Sequence, residues 1–201
     1  MNSDSPIPLI NLLEDIKSCK LCARELELGP RPVLQVHARA KVLISGQAPG
    51  IKVHRSGVPF DDASGERLRT WMGVDRDTFY DPTQVAILPM GFCYPGKGAS
   101  GDLPPIRRCA ATWRSELLEH LSNLKLNLVI GAYAQQWHLG KSDLNLTETV
   151  RNWAKLDASI MPLPHPSPRN NIWLKKNPWF EQEVVTELQR RVAYALAQDD
   201  A

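Results

Sequence analysis

KVLISGQAPG, residues 41–50, joins a short apolar run directly to a turn rich in glycine and proline. The run at 41–45 is typical of a buried strand, and the turn at 46–50 lies at its carboxyl end. Three more apolar runs follow along the chain: QVAILP at 84–89, LNLVI at 126–130 and ASIMPL at 158–163. These runs predict four short strands.

Amphipathic segments alternate with the apolar runs. The spacing of their apolar residues predicts helices at 9–16, after an N-cap at Ser64, after the prolines at 104–105, and at about 177–197. Short strands that alternate with helices favour a parallel sheet with helices on both faces. The predicted fold class is therefore α/β, a three-layer α/β/α sandwich around a mostly parallel four-stranded sheet, formed by a single domain over residues 1–201.

Composition and charge exclude several classes of protein. Hydrophobic residues make up 43% and charged residues 23% of the 201 residues, which excludes a disordered or collagen-like chain. The sequence has no apolar run of about 18 residues and its polar start lacks a secretory signal, so we expect a cytoplasmic protein without a membrane partner. The net charge is only +2, so nucleic-acid binding would require a local basic cluster.

The four cysteines are candidate metal ligands. Cys19 and Cys22 form a C-x2-C motif, whereas 15 residues separate Cys93 from Cys109. In a cytosolic chain this set favours metal or redox use over disulfides. Four thiolates hold either zinc or an iron–sulfur cluster, and the spacing alone does not choose between them. The plain structural alternative is that the cysteines pack as small hydrophobic residues.

The segment at 59–65 places an aromatic ring beside two carboxylates. Phe60 offers a flat face on which a base can stack, and Asp61 or Asp62 can orient a water molecule or stabilise a developing cation. Alternatively, Phe60 is a core residue and the aspartates are favourable anions at a helix N-terminus. The glycines at 46–50 likewise either let the backbone approach a ligand or form an ordinary turn.

His165 lies in a proline-braced loop after the last predicted strand. An imidazole held at a defined angle can donate a hydrogen bond to an oxygen that gains charge. The following residues, 169–179, interleave cationic and aromatic side chains, which suits phosphate contacts and base stacking but also a solvated helix start. Because ligands of parallel sheets bind beyond the carboxyl ends of the strands, the loops at 46–50 and 165–168 are expected to meet.

Taken together, these segments resemble the uracil-DNA glycosylase superfamily, and most closely its iron–sulfur branch, family 4. That branch carries, in order, a C-x2-C motif, a G-E-[AG]-P-G loop, a G-x-P-F segment, two widely spaced cysteines and an H-P loop. The matching features here are Cys19 with Cys22, residues 46–50, residues 57–60, Cys93 with Cys109, and residues 165–168. The resemblance covers the chain from Cys19 to about Arg191.

The resemblance implies a 4Fe-4S cluster on the four cysteines, with zinc as the alternative. It also implies hydrolysis of an N-glycosidic bond after the base has left the DNA stack. The implied catalytic residues are Asp62 and His165, with Asp61 as the second carboxylate and Gln47 as a water-holding residue. The implied base-binding residues are Gly46, Ala48, Pro49, Gly50, Phe60 and Pro89. The implied DNA-binding residues are Ser167, Arg169, Asn170 and Lys175, with Arg169 entering the minor groove.

The chain departs from the family pattern at three positions. Gln47 stands where family 4 carries a catalytic glutamate, and Ala48 stands where family 1 carries an aspartate. Pro89 aligns with the asparagine that reads uracil, and a proline cannot offer the paired donor and acceptor of an amide. The segment at 62–65, in contrast, resembles the D-x-S-G segment whose aspartate is implicated in family 5, which makes Asp62 the leading carboxylate.

The predicted function is that of a monofunctional DNA glycosylase, acting as a monomer on DNA with damaged bases and removing uracil or a related deaminated base. The alternative is a catalytically weak or inactive iron–sulfur member of the same superfamily that binds nucleic acid. A third interpretation, from another class, is a tetrathiolate zinc protein of unrelated function.

Overall fold

The fold is built on a four-stranded parallel sheet. A computed structural model describes residues 6–99 and 101–198. The strands are β1 (Val42–Ser45), β2 (Val85–Ile87), β3 (Lys97–Gly98), β4 (Gly101–Asp102), β5 (Leu126–Ile130) and β6 (Ile160–Leu163). The main sheet has the order β2-β1-β5-β6, and each neighbouring pair in it is parallel. The predicted four strands and the α/β class are confirmed.

Helices follow most of the strands. The α-helices are α1 (Ile7–Lys17), α2 (Ile51–Ser56), α3 (Ala63–Met72), α4 (Arg76–Tyr80), α5 (Arg107–Glu119), α6 (Gly131–Leu139), α7 (Leu146–Arg151), α8 (Asn171–Lys176) and α9 (Thr186–Ala197). A π-helical segment, Phe180–Val185, leads into α9, and short 3-10 turns occupy Ala23–Glu25, Trp153–Lys155 and Pro168–Asn170. No helix in the described ranges is long and apolar enough to cross a membrane.

The side chains of β1 alternate between two apolar layers. Val42 and Ile44 pack with buried residues of α3 and α9 on one face of the sheet, whereas Leu43 packs with residues of α1 and α5 on the other. Successive residues of a strand point to opposite faces, so an all-apolar strand requires cover on both sides. The helices supply that cover, which gives the three-layer sandwich.

Two local features differ from the sequence prediction. Ser64 does not cap α3: the N-cap is Asp62, and Ser64 already lies inside the helix. A carboxylate is as good an N-cap as a hydroxyl, and here Asp62 is the residue with extended backbone. The antiparallel β3–β4 hairpin was not predicted, because strands of two residues carry no periodicity that a sequence pattern can reveal.

Candidate active site and cysteine pocket

The loops after β1 and β6 meet in one cleft at the carboxyl end of the sheet. The cleft encloses about 1640 Å³, including space open to solvent. Residues 46–50 line it from the β1 side, and residues 165 and 167–170 line it from the β6 side. Phe60, Asp62 and Pro89 complete the predicted part of its lining. The sequence-derived expectation that the two loops converge is therefore confirmed.

Two of the predicted catalytic, base-binding and DNA-binding residues, Asp61 and Lys175, do not line this cleft. The Asp61 carboxylate instead lies 3.7 Å from the Nη2 atom of Arg76, at the start of α4. Lys175 is an exposed residue of α8. Asp62, which does reach the cleft, is thus the better placed of the two neighbouring carboxylates.

The Phe60 ring is held in the cleft by an unusual backbone conformation. Its φ of 53° is the one positive value at a non-glycine residue in the described part of the chain. A Cβ atom at Gly65 would lie 1.8 Å from the Phe60 carbonyl oxygen, so only glycine permits this path. The ring tip lies 3.7 Å from the Cβ position of Gly46, and Phe79 packs edge-on behind it. Such strain at a non-glycine residue is typical of functional sites.

Asp62 combines a structural bond with access to the cleft. Its Oδ1 atom accepts hydrogen bonds from the backbone N–H groups of Ser64 (2.9 Å) and Gly65 (3.0 Å), which fixes the carboxylate at the N-terminus of α3. The bonds described for this side chain involve Oδ1 and none involves Oδ2. The N-cap accounts for one oxygen and leaves the other for a ligand or a water molecule.

His165 is positioned as a neutral hydrogen-bond donor. The backbone N–H of Ser167 donates to its Nδ1 atom (3.2 Å), so the neutral ring carries its proton on Nε2. Burial lowers the pKa of His165, and the nearby carboxylates of Asp62 and Asp102 act in the opposite direction. The neutral form therefore predominates at neutral pH, and its Nε2–H group belongs to a residue that lines the cleft.

Asp102 is a cleft residue that the sequence analysis missed. It lies in β4, and its Oδ2 atom is 3.5 Å from the Cβ position of Gly50. Burial raises the pKa of the neighbouring Tyr94, and the Asp102 carboxylate raises it further. Asp62 and Asp102 are the two carboxylates among the described residues that line the cleft. Only the hairpin, which the sequence pattern does not show, brings Asp102 there.

Gln47 and Pro89 form a wall of the cleft. The backbone N–H groups of Met90 and Gly91 donate to the carbonyl oxygens of Gly46 (2.8 Å) and Gln47 (3.0 Å), so the chain after β2 runs against the loop after β1. The Gln47 Nε2 atom donates to the Leu103 carbonyl oxygen (3.3 Å). Gln47 is thus a neutral side chain whose amide is directed at the backbone.

A buried polar network lies at the same strand ends. The fully buried Arg114 of α5 donates to the Leu88 carbonyl oxygen (2.7 Å), to Ser45 Oγ (2.6 Å) and to His138 Nε2 (2.8 Å). The Asn127 amide lies 3.1 Å from His138 Nδ1. Burial lowers the pKa of Arg114 to about 10, and burial together with Arg114 lowers that of His138 to about 4. The network fixes the strand ends from which the cleft loops start.

Arg169 is an exposed residue, but its guanidinium is turned toward the β3–β4 hairpin. Its Nη1 atom lies 2.7 Å from the position that a Cβ atom would occupy at Gly101, so its guanidinium lies against the β3–β4 hairpin. Any larger residue than glycine at 101 would displace it. The predicted DNA-contacting side chain and the hairpin that carries Asp102 therefore touch beside the cleft.

The four cysteines line a second, separate pocket of about 440 Å³, including space open to solvent. All four are free thiols, and the other lining residues are mostly apolar, among them Phe92, Ile106 and Trp113. Burial raises the pKa of Cys93 to about 11 and that of Cys109 to about 12. Chain segments far apart in sequence thus bring four thiols to one apolar pocket, which suits a thiolate-ligated group.

No set of three His, Cys, Asp or Glu side chains within residues 6–99 and 101–198 is grouped closely enough to hold one metal ion. The donor chemistry of the pocket still fits a cluster with four cysteine ligands, since all four sulfurs belong to the same lining. The iron–sulfur cluster therefore remains a prediction.

The family model described as the uracil DNA glycosylase superfamily matches residues 35–189. The match includes β1, β2, β5 and β6 and every residue that lines the cleft except Val33. It begins after Cys19 and Cys22, so that part of the cysteine pocket lies outside it.

Proposed function

Because the chain belongs to the uracil DNA glycosylase superfamily, we propose that it is a monofunctional DNA glycosylase that removes uracil or a related deaminated base flipped out of DNA. One observation carries the proposal: the cleft collects an aromatic ring, an Nε2–H donor and two carboxylates at the carboxyl ends of the strands. These are the groups that cleavage of an N-glycosidic bond requires.

The proposed reaction assigns a role to each of these groups. The extruded base stacks on Phe60, whose ring is fixed over Gly46. As the glycosidic bond breaks, the sugar gains positive charge and the base gains negative charge. His165 donates from Nε2 to the base oxygen that gains charge, and Asp62 holds a water molecule or stabilises the sugar cation through Oδ2.

Base selectivity is proposed to be broader than that of a strict uracil reader. Pro89 is buried in the wall of the cleft and has no side-chain donor or acceptor with which to read the Watson–Crick edge of uracil. A site without that hydrogen-bond pair discriminates weakly among deaminated bases. Hypoxanthine is therefore a candidate substrate beside uracil.

The cysteines are proposed to hold a 4Fe-4S cluster, which would place the chain near the iron–sulfur branch. Cys19, Cys22, Cys93 and Cys109 would be its ligands, and the pocket they share supports the assignment. The cluster would supply a structural tie between the segment after α1, the loop after β2 and α5. A brown preparation with iron and acid-labile sulfide in equal amounts would support it, whereas a colourless protein with bound zinc would contradict it.

The test of the activity is a cleavage assay on oligonucleotides with a single uracil, hypoxanthine or xanthine, followed by alkaline scission of abasic sites. We expect strand scission with at least one lesion, only after alkali, and a rate about ten- to hundredfold lower with Phe60→Ala, which removes the stacking surface. Scission without alkali would contradict the monofunctional assignment. No scission with any lesion would contradict the proposal as a whole.

A second candidate function is that of a catalytically weak or inactive nucleic-acid-binding member. The observation in its favour is that Gln47, a neutral residue, directs its amide to the Leu103 carbonyl oxygen. This candidate predicts salt-sensitive DNA binding without base release, so a binding titration beside the cleavage assay separates the two.

A further inference from the structure

Arg67 connects the catalytic half of the cleft to the loop predicted to contact DNA. It lies in α3, the helix that Asp62 caps. Its Nη1 atom donates to the Ser167 carbonyl oxygen (3.0 Å), and its Nη2 atom donates to Asn171 Oδ1 (2.8 Å). A rigid, planar guanidinium thus holds residues 165–171, which we name the His165 loop, at two points four residues apart.

The other side-chain hydrogen bonds of the His165 loop are internal. The Asn170 amide donates to the His165 carbonyl oxygen (2.7 Å), and the Arg169 N–H donates to Ser167 Oγ (3.2 Å). Among the hydrogen bonds of the described residues, the two that join this loop to another element both come from Arg67. The internal bonds set the shape of the loop, whereas Arg67 sets its place relative to Asp62.

The loop and the residue that follows it carry side chains suited to opening a duplex. Arg169 lies in the loop, and Ile172 comes directly after its last residue; Ile172 is apolar but 68% exposed. Exposed apolar side chains beside basic ones are used as wedges between base steps. Unstacking and unpairing a base costs a few kcal/mol, and a loop that must first be ordered adds its own entropic cost. A lesion in single-stranded DNA requires no unpairing.

We propose that Arg67 is a positioning residue that preorganises the His165 loop for duplex opening and thereby determines how well the protein acts on paired lesions. The inference rests on the proposed glycosylase function and extends it to the choice between duplex and single-stranded substrate. A purely structural role in the stability of α3 would affect both substrates equally.

The test compares Arg67→Ala and Asn171→Ala with the wild type on one lesion in three settings: a duplex, a single strand and a duplex with the lesion in an unpaired bubble. In single-turnover cleavage, Arg67→Ala is expected to lose roughly tenfold or more on the duplex and less than about twofold on the other two. Asn171→Ala removes one of the two bonds, so a smaller loss with the same selectivity is expected. Arg190→Ala, an exposed arginine of α9 paired with Glu187, is the matched control.

Hydrogen exchange separates this inference from the proposed function. Arg67→Ala is expected to speed amide exchange in the His165 loop and to weaken the fluorescence signal of a 2-aminopurine placed beside the lesion, which reports flipping without cleavage. If the wild type flipped the base without releasing it, and Arg67→Ala weakened the flipping signal, the glycosylase proposal would be contradicted and the role of Arg67 supported. The inference would be overturned by an equal loss of cleavage rate on all three substrates. It would also be overturned if amide exchange in the His165 loop were unchanged in both Arg67→Ala and Asn171→Ala.

Discussion

The cleft and the buried network around Arg114 lie at the same strand ends, and each contains a histidine whose pKa is lowered by burial. His165 lines an open cleft, and among the hydrogen bonds of the described residues the one at its ring is accepted by Nδ1, not by Nε2. His138 has polar partners at both ring nitrogens, so a ligand has no place to bind. A shifted pKa therefore does not by itself identify a catalytic group. Access to a cleft makes the difference between the two histidines.

The largest expected effect concerns the carboxylates of the open cleft. Asp62→Asn keeps an N-cap oxygen but removes the charge, so base excision is expected to fall by about 10²–10⁴-fold with little loss of stability. Asp102→Asn is expected to lose less than about tenfold, because Asp102 is exposed and none of the hydrogen bonds given for the described residues joins a backbone N–H to its carboxylate. Single-turnover rates measure both.

Asp75→Asn is the matched control for the carboxylates, since Asp75 caps α4 in the same way but lies outside the cleft lining. It should leave the excision rate unchanged. A larger loss of excision rate with Asp102→Asn than with Asp62→Asn would show that Asp102, and not Asp62, is the main catalytic carboxylate. Equal losses with Asp62→Asn and Asp75→Asn would show that only capping had been measured.

The next effect separates the two histidines by activity. His165→Gln removes the Nε2–H donor and is expected to slow base excision by about 10²–10³-fold, the usual cost of removing one donor from a developing negative charge. His138→Gln should retain most of the activity, because its ring nitrogens face the buried network and not the cleft. Comparable excision rates for both variants would contradict the claim that access to the cleft separates the catalytic histidine from the buried one.

In the buried network around Arg114, the expected effect of a substitution is a loss of folding stability. Arg114→Met removes the donor shared by Leu88, Ser45 and His138 and leaves buried acceptors unpaired, so the free energy of unfolding should fall by about 3 kcal/mol. Arg107→Met, an exposed position on the same helix, should change it little. Urea denaturation at neutral pH gives both values, and equal stability of the two variants would contradict the structural role.

More of the cleft than of the buried network around Arg114 could be predicted from the sequence. Apolar runs identify the strands, and the rule that ligands bind beyond their carboxyl ends then brings residues 46–50 and 165–168 together. Arg67 and Arg114 escaped prediction because their partners lie far away in the chain: Ser167 is 100 residues from Arg67, and Ser45 is 69 residues from Arg114. Side-chain hydrogen bonds over such distances leave no periodic signal.

The smallest expected effect is a pH dependence of folding stability that arises from His138 in the buried network around Arg114. The pKa of His138 is lowered to about 4 in the folded protein, against an ordinary value near 6.5. As the pH falls below about 6.5, the unfolded chain binds a proton at this residue and the folded chain does not, so stability is lost down to about pH 4. Between pH 7 and pH 5 this amounts to about 2 kcal/mol.

His138→Gln should flatten the wild-type dependence between pH 7 and pH 5 without abolishing it, because burial also lowers the pKa values of His165 and His54 and these contribute with the same sign. His120→Gln, at the C-terminal end of α5, is the matched control and should keep the full dependence. Urea midpoints across this range measure the effect. If His138→Gln kept the wild-type dependence of stability on pH while His165→Gln removed it, the buried network around Arg114 would not be the main acid-sensitive element. The His165 loop would then have to explain the acid sensitivity.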